Sequence, residues 1–153
     1  DTLSNYLGYI EEAFLAYKTE RYNIKGKDVV AGNCKYYLND LSFKNFLYPG
    51  FAYGVGYLLE NAVYLELRRL GYIVYTGSFR DKEVDFVAMK DDRVIYLQAT
   101  YMLETAQTME REYAPLLTIG DNYEKYVVSM DEVQFPSNEG VRHIQAWNLK
   151  EIL

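Results

Sequence analysis

An α/β sandwich built on a mixed sheet is the fold class this sequence predicts, and three observations predict it. From Tyr53 onward the pattern reads helix, three strands, helix, strand, strand. At Gly71 the apolar residues switch from helical spacing to strict alternation. No glycine-rich turn joins a first strand to a helix, which sets aside the doubly wound dinucleotide fold. With 153 residues, of which 50% are hydrophobic, the chain is long enough to bury a real core.

Taken in order, Leu3, Leu7, Ile10, Ala13 and Phe14 form a helical stripe, so a helix is expected from about Leu3 to Tyr17, capped by Thr2 or Ser4. Two strand-like runs follow, "TERYNI" and "KYYLND", separated by "KGKDVVAGNC", which reads as a hairpin turn or wing. This helix and hairpin cannot bury much apolar surface alone. Residues 1–50 therefore either dock on the rest or complete a winged-helix unit whose earlier helices lie upstream. Pro49 and Gly50 then punctuate the chain, and a second segment, residues 51–153, carries the α/β core.

Within it, "YGVGYLLENAVYLELRRLGY" gives the strongest helix signal: Leu59, Val63, Leu67 and Leu70 share a face and Gly71 stops the helix. The strands "YIVYTG", "EVDFVAMK" and "RVIYLQATY" come next, the last two joined through Asp91 and Asp92 as a hairpin. Residues 104–118 return to helical spacing. "EKYVVSMDEV" and "VRHIQAWNL" read as two further strands, closed by the turn "LKEIL".

Composition narrows the chemistry. One cysteine, Cys34, rules out an intramolecular disulfide and a cysteine cluster for zinc, which suits a cytoplasmic setting. No stretch approaches the roughly 18 uninterrupted apolar residues of a membrane span, so no membrane partner is expected. A net charge of −6 repels phosphates on average. The basic run "KTERYNIKGKDVVAGNCK" reads as a solvated hairpin rather than a nucleic-acid contact, and the 17 tyrosines read mostly as structure. There is no phosphate loop, so this segment by itself should not hydrolyse a nucleoside triphosphate.

A carboxylate inside a strand is costly to bury without compensation, which makes Asp85 the foremost candidate site residue. Alternation places Val84, Phe86 and Ala88 on one face of its strand and Glu83, Asp85 and Val87 on the other. If the hairpin centres on Asp91 and Asp92, Gln98 stands opposite Asp85; a slip of one residue would separate them. On the long helix Glu60 falls at the edge of the apolar arc, suited to a cleft rim, and Glu66 falls near its centre and is expected to be the more buried. Lys82 and Lys90 read as strand ends, and Glu110 and Arg111 sit on a helix beside the expected cleft. His143 is the only histidine and reads as a packing residue. Ser129, Asp131 and His143 resemble a hydrolase triad only on paper, since no nucleophile elbow accompanies them.

The order "GYLLENAVYLELRRLGYIVY", "KEVDFVAMK", "VIYLQATY" resembles the PD-(D/E)XK, restriction-endonuclease-like superfamily. With "KYYLNDLSFKNF" before it and "TMEREYAPLLTIGDNYEKYVVSMD" after it, nearly the whole chain is similar to a C-terminal domain of unknown function that follows an AAA+ ATPase domain in prokaryotic ATPase-like proteins. The resemblance implies a restriction-endonuclease-like core with a mixed central sheet flanked by helices, preceded by a partial winged-helix-like segment. Glu60 matches the family's helix glutamate and Asp85 its strand aspartate. Gln98 stands where the family has the glutamate of Glu-x-Lys, and Thr100 where it has the lysine. If the site were active, Glu60, Asp85 and Gln98 would hold Mg²⁺.

Because Gln98 brings no charge and Thr100 no cation, the expectation is a degenerate, non-catalytic accessory domain that binds no cofactor of its own. ATP would be handled by an ATPase domain upstream in the same polypeptide, with DNA or another protein as a further partner. A Mg²⁺-dependent deoxyribonuclease and a pure protein-interaction module are the alternatives.

Overall fold

The computed structural model describes residues 2–50 and 54–153. It is a mixed α/β structure: a seven-stranded mixed sheet with helices on both faces. The elements are α1 (Thr2–Glu12), β1 (Ala16–Asn23), β2 (Asp28–Leu38), α2 (Ser42–Leu47), α3 (Val55–Arg69), β3 (Ile73–Phe79), β4 (Lys82–Lys90), β5 (Arg93–Ala99), α4 (Ala106–Leu117), β6 (Glu124–Ser129), β7 (Val141–Gln145) and a closing 3-10 helix, Ala146–Glu151. The strand order is β2-β1-β3-β4-β5-β6-β7. Neighbours pair antiparallel at β1–β2, β3–β4 and β4–β5, and parallel at β1–β3, β5–β6 and β6–β7.

Several expected boundaries move. The first helix ends at Glu12 rather than Tyr17, because Phe14 takes a left-handed backbone (φ 55°) and Ala16 already belongs to β1. Thr2 and Ser4 lie inside that helix, so neither caps it, and residue 1 lies outside the described residues. Nor does the apolar stripe of α1 find a core: none of its described residues is buried. β2 begins at Asp28, so most of the expected turn is strand, and the reversal shrinks to residues 24–27, where Asn23 Oδ1 accepts the Lys25 and Gly26 amides. The short α2 carries no periodicity long enough to be read from sequence. The residues at which the second segment was expected to open, 51–53, lie outside the described residues.

The hairpin is part of the main sheet. Arg21–Asn23 of β1 run parallel to Thr76–Ser78 of β3. After a register shift between Thr19 and Arg21, the rest of β1 pairs with Lys35–Leu38, which lie against α3. There the Asn61 side chain accepts the Leu38 amide at 2.8 Å and donates to the Leu38 carbonyl at 2.9 Å. Tyr37 stacks on Tyr64 of α3 with centroids 4.2 Å apart.

Two apolar clusters fill the two faces. Leu59, Val63, Tyr64 and Leu67 of α3 pack with Tyr37, Phe86, Ala88, Leu97 and Val128. Tyr113 and Leu116 of α4 pack with Val84, Val87, Tyr96 and Val127. Val84 and Val87 share a face, contrary to simple alternation. Tyr75 pairs with Val87 and Gly77 with Val84, so Asp85 and Phe86 together oppose the single residue Thr76. This β-bulge turns both residues toward α3. Gly77 is needed here: a Cβ would lie 2.8 Å from Val87 Cγ2 and 3.0 Å from Val84 Cβ.

The chain's last third also departs from expectation. β6 stops at Ser129 rather than Val133, because Ser129 and Asp131 form a hydrogen-bonded turn. β7 stops at Gln145, and the 3-10 helix takes the residues expected to continue it. Among the described residues, no helix is long and apolar enough to cross a membrane.

Candidate functional site

β4 and β5 pair from Lys90↔Arg93 to Phe86↔Leu97, and one step further Asp85 meets Gln98. At that step side chains replace the ladder. The Asp85 amide donates to Gln98 Oε1 at 3.3 Å, and the Ala99 amide donates to Asp85 Oδ2 at 3.0 Å. Facing this junction, Glu60, Asp85, Gln98 and Thr100 line one cavity of about 280 Å³ with Gly56, Tyr57, Ala99, Arg111 and Glu112. Arg111 is at its exposed rim, bonded to Glu112 at 2.6 Å. Glu110 is not on this cavity; it lines a different one beside Lys82 and Phe135.

Glu60, not Glu66, is the inward glutamate of α3. Its side chain is 15% exposed, against 23% for Glu66. The buried face of α3 includes Asn61 and Tyr64 as well as the leucines. At about 100° per residue, those two rotate the centre of the arc toward Glu60 and leave Glu66 outside it. Glu66 instead takes two bonds from Arg69, at 2.7 and 2.8 Å, which hold its carboxyl below the usual range.

The residue that sequence reasoning missed is Lys35 of β2. Its ammonium lies 3.0 Å from Glu60 Oε1, 2.9 Å from Glu83 Oε1 and 3.4 Å from Asp85 Oδ1. Glu83 is also held by Arg21 at 2.8 Å, so two members of the basic run read as a solvated hairpin are bound to the acids of β4. Tyr37, two residues on from Lys35 and on the same strand face, donates its hydroxyl to Glu60 Oε1 at 2.7 Å. A period-two basic and aromatic pair at a strand end was the only local signal. Lys82 and Lys90 are elsewhere: Lys82 reaches the Ala114 carbonyl and Lys90 the Leu70 carbonyl.

Burial is the main cause that raises the Asp85 pKa to about 7; the charge of Glu60 adds to it, while Lys35 and the Ala99 amide oppose it. For Lys35, burial pulls the pKa down, but the carboxylates of Asp85 and Glu60 outweigh it and the ammonium is held well above its ordinary value. Burial, followed by the charge of Glu60, likewise raises the Tyr37 hydroxyl. The Lys35 ammonium is therefore firmly held near neutral pH, the range in which Asp85 titrates.

The oxygens do not fit the Mg²⁺ that the resemblance implies. Glu60 Oε1 already accepts from Tyr37 and Lys35, Asp85 Oδ2 from Ala99, and Gln98 Oε1 from the Asp85 amide. Among the described residues, no group of three or more His, Cys, Asp or Glu is arranged to hold a metal ion.

Ser129, Asp131 and His143 do come together, but with the wrong polarity for a nucleophile. His143 Nδ1 accepts the Phe135 amide at 3.1 Å, so in the neutral ring Nε2 carries the hydrogen and donates to Ser129 Oγ at 2.8 Å. The serine in turn donates to Asp131 Oδ2 at 2.6 Å, and Ser129 is fully buried. The trio ties β6 to β7. Burial lowers the His143 pKa, with Asp131 opposing. A depressed histidine contributes stability that is present above the unfolded value of about 6.5 and lost as pH falls toward the folded one. Urea unfolding from about pH 7.5 down to 5 should therefore show wild type losing stability faster than His143→Gln. Parallel pH profiles would contradict this.

Comparison with known proteins gives relatives without a known function. The chain is 37% identical over 128 residues, 84% of its length, to an uncharacterized protein of Haemophilus influenzae, of which it covers 31%. It is 31% identical over 116 residues, 73% of its length, to an uncharacterized protein of Methanocaldococcus jannaschii, of which it covers 25%. The chain thus spans less than a third of the length of the curated relatives it matches. No protein-family model matches it, and neither does any solved structure.

Proposed function

We propose that this chain is a restriction-endonuclease-like accessory domain of a longer, cytoplasmic ATPase-containing protein, and that its site does not hydrolyse phosphodiesters. The observation that carries this reading is the bond from the Asp85 amide to Gln98 Oε1. The residue standing in place of a second acidic ligand is neutral, and its oxygen serves to join two strands. Thr100, in place of the family's lysine, lines the cavity but brings no ammonium. The coverage of only 25–31% of the two relatives supports a place within a longer polypeptide. A binding role toward another protein has support of its own, since Leu3, Tyr6 and Tyr9 of α1 are all more than 60% exposed.

The test is cleavage of plasmid and branched DNA, with Mg²⁺ and with Mn²⁺, by wild type, Asp85→Ala and the double substitution Gln98→Glu with Thr100→Lys. Wild type should show no cleavage above the Asp85→Ala background. The double substitution adds a negative ligand and a point cation, changes each on the scale of about 10²-fold in rate only once a divalent ion is seated, so with Lys35 still bound to Glu60 and Asp85 it should remain near background. Wild-type cleavage that Asp85→Ala abolishes would replace this reading with the Mg²⁺-dependent deoxyribonuclease.

A further inference from the structure

We propose that Lys35 is a built-in cation: its ammonium joins and neutralises the carboxylates of Glu60, Glu83 and Asp85 where a divalent ion would otherwise have to draw them together, so that the site is complete without metal and excludes it. This inference rests on the nuclease-like reading of the site. It adds to that reading the group that closes the site, which comes from the N-terminal hairpin and not from the helix–strand–strand order.

Three features of the geometry point to it. An ammonium has three N–H donors, and Lys35 Nζ has three carboxylate acceptors, at 2.9, 3.0 and 3.4 Å. These are hydrogen-bond lengths; Mg²⁺ would need about 2.0–2.1 Å and near-octahedral ligands, which the same oxygens cannot provide around an intervening ammonium. Lys35 is also fixed from behind. Tyr37, on the same face of β2, is buried against Tyr64 and Phe86 and bonds the same Glu60 oxygen. The strand that carries Lys35 is itself clamped to α3 by Asn61 through Leu38.

The consequence is specific. Removing the ammonium leaves three carboxylates without a counter-charge, and their side chains should then be free to close on a divalent cation. Mn²⁺ binding followed by the loss of its free paramagnetic signal reads this directly. Wild type should show no saturable site dependent on Asp85 below about 1 mM. Lys35→Met should gain one, at least about tenfold tighter than any binding by wild type, and the gain should vanish in Lys35→Met with Asp85→Asn. Lys35→Arg, which keeps a cation, should gain nothing. Circular dichroism establishes that each variant is folded. A second readout needs no variant: the thermal midpoint of wild type should be the same in Mn²⁺ and in chelator, because a ligand that binds only the native state must raise it.

Asp85-dependent Mn²⁺ binding by wild type, or a Mn²⁺-dependent rise in its midpoint, would overturn the inference. So would a folded Lys35→Met that gains no site. These outcomes separate from those of the cleavage assay. Wild type that binds Mn²⁺ at Asp85 yet leaves DNA intact would remove the built-in cation and spare the non-hydrolytic reading, whereas cleavage without such binding would do the reverse.

Discussion

Phe86→Ala lowers the unfolding free energy by about 3–5 kcal/mol. Phe86 is completely buried. Its ring lies 5.7 Å from that of Tyr37 and 6.4 Å from that of Tyr64, so it joins β4 to the hairpin and to α3 at once. Truncation removes the apolar transfer energy and leaves a cavity that a seven-stranded sheet cannot collapse around. For a chain of this size each kcal/mol moves the midpoint by roughly 2–4 °C, so the drop should be on the order of 10 °C. Phe86→Leu keeps most of the volume and should cost less than half as much. A loss below about 1 kcal/mol for Phe86→Ala would mean that the bulge does not place this ring in the core. Because Phe86 supports Tyr37, and Tyr37 bonds Glu60, the same substitution should also loosen the site.

Lys35→Met carries the second large effect, about 2–4 kcal/mol at pH 8. Breaking a buried ion pair by removing one partner costs about 3–5 kcal/mol because the other charge is left uncompensated. The Lys35 side chain is 30% exposed, which reduces that figure, while Glu60 and Asp85 are only 15% and 11% exposed. The pH dependence has a definite sign. Asp85 has a folded pKa of about 7, above its unfolded value of about 3.9, so on its own account it favours the native state most below that unfolded value, and this contribution is lost as pH rises through 7. Lys35 offsets the loss, since its charge matters most once Asp85 is ionised. The cost of Lys35→Met should accordingly shrink between pH 8 and pH 5, and urea unfolding at those two values measures it.

Much of the fold was legible because it rests on local signals. The α3 helix announced itself by spacing and by Gly71, whose φ of 88° suits a helix end. The β4–β5 hairpin was fixed by its Asp91–Asp92 turn, and the residue numbers of its pairs then placed Asp85 beside Gln98. What could not be read depends on contacts distant in sequence. A bulge at Asp85 and Phe86 leaves no mark in the alternation of "EVDFVAMK"; only the partner strand reveals it. Glu66 looked central on α3 until Tyr64 and Asn61 were seen to be buried with the leucines. Lys35 belongs to the hairpin at one edge of the sheet, and nothing near it in sequence says that this strand lies over α3 and reaches the acids of β4.

The most direct measurement is a double-mutant cycle between Lys35→Met and Asp85→Asn, by urea unfolding at pH 8 in the presence of chelator. If the ammonium closes the cluster, the double substitution should cost less than the sum of the single ones by about 1 kcal/mol or more, and the coupling should fall at pH 5 as Asp85 takes up its proton. Costs that add to within about 0.3–0.5 kcal/mol at pH 8 would show that Lys35 and Asp85 do not act on each other, and the built-in cation would fail with them.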